Sequence, residues 1–379
     1  MRKRRKKKRK VKKKKRVSRL YFPNLYERKK TSLPIKDKVY LTSNAVLDIS
    51  SASKPVMLCV AGKTGTGKTA VDLVVGDQFR SALLFDPKAG VVGAPAVTEF
   101  MGIAKNWTLN SIRGSGIKKD KAALKMNVRE VGASSVNVLC LRKELSSDVK
   151  LRRVLQPFFS MSENDPRKTF DNFEKVMKDN RLDFIFDELS VIFDEKDKGL
   201  SLDEICNSKR IIDIHELDAD SRAVAVLIES IFNYRRTHYL KEKMFIGCDE
   251  MHNFCKSSTA IGTAMGYVFS TGRSFGICGL VSGTNVGDLE KHIKANISVY
   301  ILFESDFEKD RFFREYGVDL DFDSLNYLKK KFGTHGNCFI KAEDLGFMPP
   351  IPIHIDINYY QEIRKGTEDV VVNSFEDYL

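Results

Sequence analysis

The sequence predicts an α/β fold with a mainly parallel sheet flanked by helices, and three observations lead to this prediction. Several short segments are continuously apolar, which is typical of strands that are buried on both faces of a parallel sheet. Segments of helical length separate most of them, as the crossovers between parallel strands require. The first apolar segment also runs into a glycine-rich loop that is followed by an amphipathic stretch.

The predicted strands are residues 56–61, 82–85, 211–214, 244–248, 277–282 and 299–303. Helical periodicity occurs at residues 70–79 and 223–234. Residues 101–200 are lysine-rich with a helical pattern, and a strand-like run at 136–141 interrupts them. Pro23 and Pro34 favour a linker, which a short strand or hairpin near 38–41 is expected to follow.

These patterns divide the chain into five parts. Residues 1–35 are expected to be a basic disordered tail and linker, and residues 358–379 a C-terminal tail. Residues 36–100 and 205–357 are expected to form the two parts of one core. Residues 101–204, which lie between those parts, are expected to be a mostly helical insertion.

The excess positive charge lies entirely within residues 1–16, which contain 14 of the 64 Lys and Arg residues and no acid. The rest of the chain is therefore balanced against the 50 Asp and Glu residues. Such a run repels itself and has little to bury, so it is expected to be disordered and to bind an anionic partner, first of all nucleic acid. A targeting signal such as nuclear import, a membrane-surface anchor and a merely solvated tail are the alternatives.

Composition argues against membrane and secreted classes. No apolar run approaches the roughly 18 residues of a membrane-spanning helix, and no apolar signal region follows the basic N-terminus. The 7 cysteines are scattered and form no CxxC pair, which favours reduced thiols and argues against a zinc knuckle. The expected location is therefore the cytoplasm.

Residues 62–69, GKTGTGKT, fit the phosphate-binding pattern GxxxxGK[ST] and lie between a predicted buried strand and a helix N-terminus. Lys68 is expected to reach the β and γ oxygens of ATP, and Thr69 to bind Mg²⁺. The alternative is a flexible glycine turn with a solvated lysine. The predicted nucleotide-binding residues are Gly62, Lys63, Thr64, Gly65, Thr66, Gly67, Lys68, Thr69 and Ala70.

Residues 244–250, MFIGCDE, supply the second half of the predicted site, because a buried strand ends there in two carboxylates. Asp249 is expected to hold the Mg²⁺ shell together with Thr69, and Glu250 to orient or deprotonate the attacking water. A glutamate beside the aspartate predicts hydrolysis of ATP rather than transfer to a small acceptor. The alternative is a strand end with two solvated acids.

Two further catalytic candidates flank the apolar run 277–282. Asn285 is predicted to sense the γ-phosphate, the alternative being an ordinary turn asparagine. Arg273 is predicted to act as an arginine finger on the nucleotide of a neighbouring subunit, the alternative being a solvated surface arginine. His252 lies close to the paired acids, but the sequence has no HExxH pattern, so a structural role is expected.

Four segments together resemble the HerA/FtsK superfamily of ring-forming DNA-translocating ATPases. They are the phosphate-binding loop, ALLFDPKAG at 82–90, DEMHNF at 249–254 and TGRSFGICGLVSGTN at 271–285. The resemblance implies a RecA-like P-loop NTPase core of the ASCE type and a homo-oligomer, usually a hexamer, with double-stranded DNA in its pore. The superfamily commonly has glutamine where Asn285 stands and alanine where Met251 stands.

The resemblance implies an ATP-hydrolysing, Mg²⁺-dependent ring motor that translocates double-stranded DNA. Because the roughly 40 residues ahead of the core would hold neither a membrane anchor nor an N-terminal barrel, we expect genome packaging or mobile-element transfer, with a capsid or relaxase-type protein as partner and a cytoplasmic or virion-associated location. One alternative is a conjugation or secretion ATPase that moves DNA or protein through a channel. Another is a nucleotide-dependent switch or scaffold that binds nucleic acid.

Overall fold

A computed structural model of the chain provides the structure. It describes residues 19–23, 44–48, 56–77, 79–88, 107–112, 124, 174–175, 178–179, 187, 189, 191–192, 199–217, 221–238, 243–256, 258–284, 286–287, 289–304, 322–342 and 347–355. The predictions for the basic run 1–16, the hairpin near 38–41, the strand-like run 136–141 and the tail 358–379 lie outside these residues.

The described strands form one small and one large sheet. Strands β1 (Arg19–Pro23) and β2 (Asn44–Asp48) form an antiparallel pair. The large sheet has nine strands. In chain order they are β3 (Met57–Ala61), β4 (Ser81–Asp86), β5 (Thr108–Ser111), β6 (Lys209–Asp213), β7 (Met244–Cys248), β8 (Ile277–Gly283), β9 (Val299–Phe303), β10 (Asn337–Ala342) and β11 (Phe347–His354).

The order of strands across the large sheet is β11-β10-β9-β3-β8-β7-β4-β6-β5. From β9 to β5 every neighbouring pair is parallel. Strands β10 and β11 extend the sheet as an antiparallel pair beside β9. Strand β3, which leads into the phosphate-binding loop, therefore lies between β8 and β9 in the interior of the sheet.

Helices cover both faces of this sheet. They are α1 (Lys68–Asp77), α2 (Leu202–Cys206), α3 (Arg222–His238), α4 (Met251–Phe254), α5 (Ala260–Thr271), α6 (Lys291–Asn296) and α7 (Phe322–Phe332). A short 3₁₀ helix follows α5 at Gly272–Phe275. Within the described ranges, no helix is both long enough and apolar enough to cross a membrane.

Alternate residues of β3 pack into different halves of the core. Leu58 and Val60 pack with the apolar residues of α1, whereas Met57 and Cys59 pack in the cluster that contains α3 and α5. Successive side chains of a strand point to opposite faces, so a strand covered on both faces needs an apolar residue at every position. This burial is the physical reason for the continuous apolar runs in the sequence.

The predicted α/β class with a mainly parallel sheet is confirmed. All six predicted strands exist as β3, β4, β6, β7, β8 and β9, and the two predicted helices exist as α1 and α3. Two strands lie where the sequence predicted other structure. Strand β1 falls within the expected tail and linker, and β5 falls within the expected helical insertion but pairs with β6 at the edge of the core sheet.

Candidate nucleotide-binding and hydrolysis site

The sheet topology brings the candidate site residues together. Strand β8 lies between β3 and β7, and β4 is the next neighbour of β7. These four strands are parallel, so the loops after their carboxyl ends meet at one edge of the sheet. The phosphate-binding loop follows β3, and the paired acids follow β7, which places them on the same edge.

The base of the phosphate-binding loop is fixed by backbone hydrogen bonds to both neighbouring strands. The N–H of Gly62 donates to the carbonyl of Gly283 at the end of β8, over 3.2 Å. The N–H of Lys63 donates to the carbonyl of Glu304, the residue after β9, over 3.0 Å. The loop therefore leaves the sheet in one defined direction.

Glycines allow the rest of the loop to turn tightly. Gly65 and Gly67 have φ angles of 81° and 108°, in the left-handed region that side chains with a Cβ rarely adopt. The loop then enters α1, whose first residue is Lys68. Free N–H groups at a helix N-terminus and in such a loop attract anions, which fits the predicted phosphate site.

Lys68 places a buried ammonium group inside the loop. Its Nζ donates to the carbonyl of Lys63 over 2.7 Å and so spans the loop from end to start. Burial lowers the pKa of Lys68, whereas the nearby carboxylates of Asp249 and Asp72 act in the opposite direction. A cation held in this position suits the β and γ oxygens of a nucleotide.

Asp249 is buried, and three neighbours fix its carboxylate. Oδ2 accepts a hydrogen bond from Oγ1 of Thr69 over 2.9 Å. Oδ1 accepts one from the N–H of Glu250 over 2.7 Å and lies 2.8 Å from Oγ of Ser282. The structure thus brings together Thr69 and Asp249, the two residues that the sequence predicts as Mg²⁺ ligands.

Asp72 contacts the same serine hydroxyl as Asp249. It is fully buried on α1, and one carboxyl oxygen contacts Oγ of Ser282. Burial, followed by the charge of Asp249, raises the pKa of Asp72 well above its ordinary value. Oγ of Ser282 therefore lies between the carboxyl groups of Asp72 and Asp249 and contacts both of them.

The available oxygen atoms fit a magnesium ion. Thr69 and Asp249 offer a hydroxyl and a carboxylate, the hard ligands that Mg²⁺ prefers. Asp72 Oδ1 and Asp86 Oδ2 are also buried and have no hydrogen-bond partner among the described residues, which leaves two further oxygen acceptors near Asp249. Among the described residues, no group of three His, Cys, Asp or Glu side chains could hold a metal ion. Protein-bound Mg²⁺ usually keeps several waters and binds substrate phosphates, which would complete the shell.

Glu250 has the only left-handed backbone conformation among the described non-glycine residues, with a φ of 50°. Its carboxylate forms an ion pair with Lys88, which follows β4, and lies 3.3 Å from Nδ1 of His252. Burial and then the charge of Lys88 lower the pKa of His252, so this ring is neutral at pH 7. A backbone strained in this way is typical of functional positions.

Arg273 and Asn285 are the two remaining catalytic candidates. Arg273 is half-buried in the 3₁₀ helix and donates to the carbonyl of Asn296 over 2.9 Å, while its buried Nε has no hydrogen-bond partner among the described atoms. Within one chain it therefore binds the end of α6 rather than the residues of the site. Asn285 lies outside the described residues, so its role stays a prediction.

Sequence reasoning did not single out Asp72, Ser282 or Lys88 as site residues. One signal for Asp72 was available, because it is a charged residue within the otherwise apolar stretch AVDLVV of α1. Lys88 belongs to the segment ALLFDPKAG, which entered the resemblance without a role. Ser282 is the residue before the last in the apolar strand β8 and gives no signal of its own.

Asp86 predicts a pH dependence of stability. It is fully buried, and burial, followed by the charge of Asp249, raises its pKa from 3.8 to about 7. The folded protein therefore binds this proton more tightly than the unfolded chain, and the free energy of unfolding falls as pH rises from about 4 to about 7. We expect Asp86→Asn to remove this decrease in the free energy of unfolding, which is on the order of a few kcal/mol.

The measurement is chemical unfolding of both proteins at several pH values, without nucleotide and with EDTA. The side-chain amide that this substitution introduces can still accept the hydrogen bond that the Lys88 N–H donates to Asp86 over 2.7 Å. Groups that titrate in both proteins cancel in the difference between them. Two stability curves that stay parallel from pH 4 to pH 8 would contradict the assignment.

Solved structures share this architecture. VirB4 of Thermoanaerobacter pseudethanolicus superimposes with a TM-score of 0.50 at 14% sequence identity, over 81% of this chain and 90% of that chain. The two chains share one fold, and VirB4 is a P-loop ATPase of the HerA/FtsK type. The predicted resemblance to the HerA/FtsK-type ATPases is therefore confirmed at the level of the fold.

Two other solved structures of the HerA/FtsK type align less well. The bacterial conjugative coupling protein TrwB has a TM-score of 0.46 at 11% identity, over 83% of this chain and 87% of that chain. The genome packaging NTPase B204 from Sulfolobus turreted icosahedral virus 2, in complex with sulfate, has a TM-score of 0.38 at 8% identity, over 80% and 97%. No family model and no curated protein matches the chain. A shared fold does not by itself define a function, which has to be argued from the site.

Proposed function

We propose that the protein is an ATPase that hydrolyses ATP with Mg²⁺ and uses the energy to translocate double-stranded DNA. One observation carries the hydrolytic part. Lys68, Thr69, Asp249 and Glu250 come from two parts of the chain about 180 residues apart and meet at one edge of the sheet, where Thr69 and Asp249 are hydrogen-bonded. A phosphate cradle, a pair of magnesium ligands and a carboxylate for water together suit phosphoanhydride hydrolysis.

The chain's own groups divide the work as follows. The N–H groups of the loop and the ammonium of Lys68 bind the phosphates and offset their charge. Thr69 and Asp249 would hold Mg²⁺, which supplies further charge neutralisation when bound. Ser282 and the Glu250 N–H orient Asp249. Glu250 positions the attacking water and accepts its proton.

The proposal of a DNA-translocating ring rests on the fold and on two features of the sequence. The four segments that resemble the HerA/FtsK superfamily imply a homo-oligomer, usually a hexamer, around double-stranded DNA. The basic run 1–16 suits a phosphate backbone, because clustered lysine and arginine release counterions on binding. In such a ring Arg273 would exchange its bond to Asn296 for the nucleotide of the neighbouring subunit.

The switch or scaffold is a second candidate, and the ion pair between Lys88 and Glu250 favours it. A carboxylate that is engaged by an ammonium group is a weaker base for water, which would make basal hydrolysis slow. A motor would need its cargo or a neighbouring subunit to release Glu250. The two candidates therefore differ in how strongly DNA changes the rate.

The test is the steady-state ATPase rate with and without double-stranded DNA, at moderate salt, with Glu250→Gln as the blank. We expect DNA to stimulate turnover of the wild-type protein and to have no effect on the variant. A rate that is indifferent to DNA but absent from the variant would leave the hydrolytic site standing. It would overturn the DNA motor in favour of the switch or of a secretion ATPase with a protein cargo.

A further inference from the structure

The turn at residues 333–336, between α7 and β10, lies against the phosphate-binding loop. Nδ1 of His335 is 2.7 Å from the carbonyl oxygen of Gly65. The N–H of Gly336 donates to the carbonyl of Thr66 over 3.1 Å. Two consecutive carbonyls of the loop are therefore held by a segment 270 positions away in the sequence.

These two contacts define how the loop presents its N–H groups. In a trans peptide unit the C=O and the following N–H lie in one plane and point in opposite directions. Holding the carbonyls of Gly65 and Thr66 on the outer side therefore directs the N–H groups of Thr66 and Gly67 to the inner side. The inner side is where a phosphate is expected to bind.

The turn itself is held firmly. Gly333, the residue after α7, has a φ of 91°, and its N–H donates to the carbonyl of Lys329 over 2.9 Å. The carbonyl of Gly336 accepts from the N–H of Ile355 over 2.8 Å, which ties the turn to the residue after β11. A Cβ on Gly336 would lie 2.5 Å from the Ile355 oxygen, so the approach requires glycine. These hydrogen bonds thus fix the position of the turn beside the loop.

A second set of contacts joins the start of the loop to α7. The N–H of Lys63 donates to the carbonyl of Glu304, and the side chain of Glu304 forms an ion pair with Lys329 on α7. The start of the loop and its exposed tip are therefore both linked to α7 and the turn that follows it. These contacts order the loop before a ligand binds, so binding costs less conformational entropy.

We propose that His335 is a positioning residue, which holds the phosphate-binding loop in its anion-binding shape by donating a hydrogen bond from Nδ1 to Gly65. The proposal rests on the nucleotide-binding function proposed above. A carbonyl can only accept, so the neutral His335 ring carries its proton on Nδ1. The residue acts through the loop and needs no contact with the nucleotide.

Three substitutions of His335 test the proposal, because they change the reach of the hydrogen-bond donor or remove it. Asparagine places an amide nitrogen at the same number of bonds from Cα as Nδ1, glutamine places it one bond further, and alanine removes the donor. His335 is exposed, so none of the three changes should disturb the core. His238→Ala is the matched control, because Nδ1 of that exposed histidine also lies 2.9 Å from a backbone carbonyl, in α3.

We expect His335→Ala to raise the dissociation constant for ADP and the KM for ATP about fivefold, as the loss of one hydrogen bond implies. The kcat should stay within about twofold, because no group of the chemical step is removed. His335→Asn should restore the affinity, and His335→Gln should not. His238→Ala should behave as wild type in both measurements.

The outcomes separate this proposal from the function on which it rests. If the wild-type protein binds ADP and His335→Ala binds it equally well, the positioning role is wrong. If all three variants are equally impaired, the ring itself matters rather than the donor, and the proposal also fails. If the wild-type protein binds neither ADP nor ATP, the proposed nucleotide function is the part that fails.

Discussion

Glu250→Gln is expected to lower ATP turnover by about 10² to 10⁴-fold while nucleotide binding is kept. Glutamine has nearly the same shape but cannot accept a proton, so it removes the base and leaves the cradle of the phosphate-binding loop unchanged. The backbone effect should be small, because glutamine has the same Cβ and meets the same cost at a φ of 50°. The lost ion pair with Lys88 is partly exposed and contributes little to stability.

The measurement is ATP hydrolysis under single-turnover and steady-state conditions, together with binding of ATP to the variant. Glu229→Gln, on α3, is the matched control for loss of one carboxylate. A Glu250→Gln protein with wild-type turnover would remove Glu250 from the chemical step. Its role at this strained position would then be structural.

Lys68→Ala is expected to weaken nucleotide binding by at least about 100-fold, with turnover lost in proportion. The ammonium lies inside the loop, where its Nζ donates to the carbonyl of Lys63. Its removal takes away a buried cation inside the loop and with it a positive charge that interacts with Asp249 and Asp72. The remaining negative field would repel a polyphosphate.

Binding of ADP and ATP by calorimetry, with and without Mg²⁺, measures this effect. Lys291→Ala is the matched control, since that lysine is exposed at the start of α6. Circular dichroism and the melting temperature would show that both variants are folded. Near-normal affinity in a folded Lys68→Ala protein would mean that residues 62–69 do not bind phosphate.

Burial on both faces is the reason that most of the fold could be predicted from sequence. Strands such as β7 and β9 must be apolar at each position, so their limits appear directly as apolar runs. The polar strand β5, TLNS, gave no such signal because, among the described strands, it pairs with β6 alone and lies at the edge of the sheet. Strand β11 contains prolines within FMPPIPIH, which argue against a strand in sequence but are tolerated at the opposite edge.

The candidate site was predictable only where it is contiguous in sequence. Lys68 and Glu250 belong to short segments whose chemistry depends on neighbouring residues. The contact between Ser282 and Asp72 joins positions 210 residues apart, and that between His335 and Gly65 joins positions 270 apart. Nothing local distinguishes an exposed turn histidine that supports the site from one that does not. Such roles follow from tertiary structure alone.

The interior position of β3 also determines when the nucleotide site can form as the chain is synthesised. The loop-bearing strand leaves the ribosome early, yet its register partners are Gly279 for Met57 and Val299 for Leu58. Until β9 has emerged, the apolar residues of β3 have no complete sheet to join, and closing these long connections costs entropy before any pairing is gained. We therefore expect the candidate nucleotide site to be completed only after β9 has been synthesised, and β3 to need protection until its partners arrive.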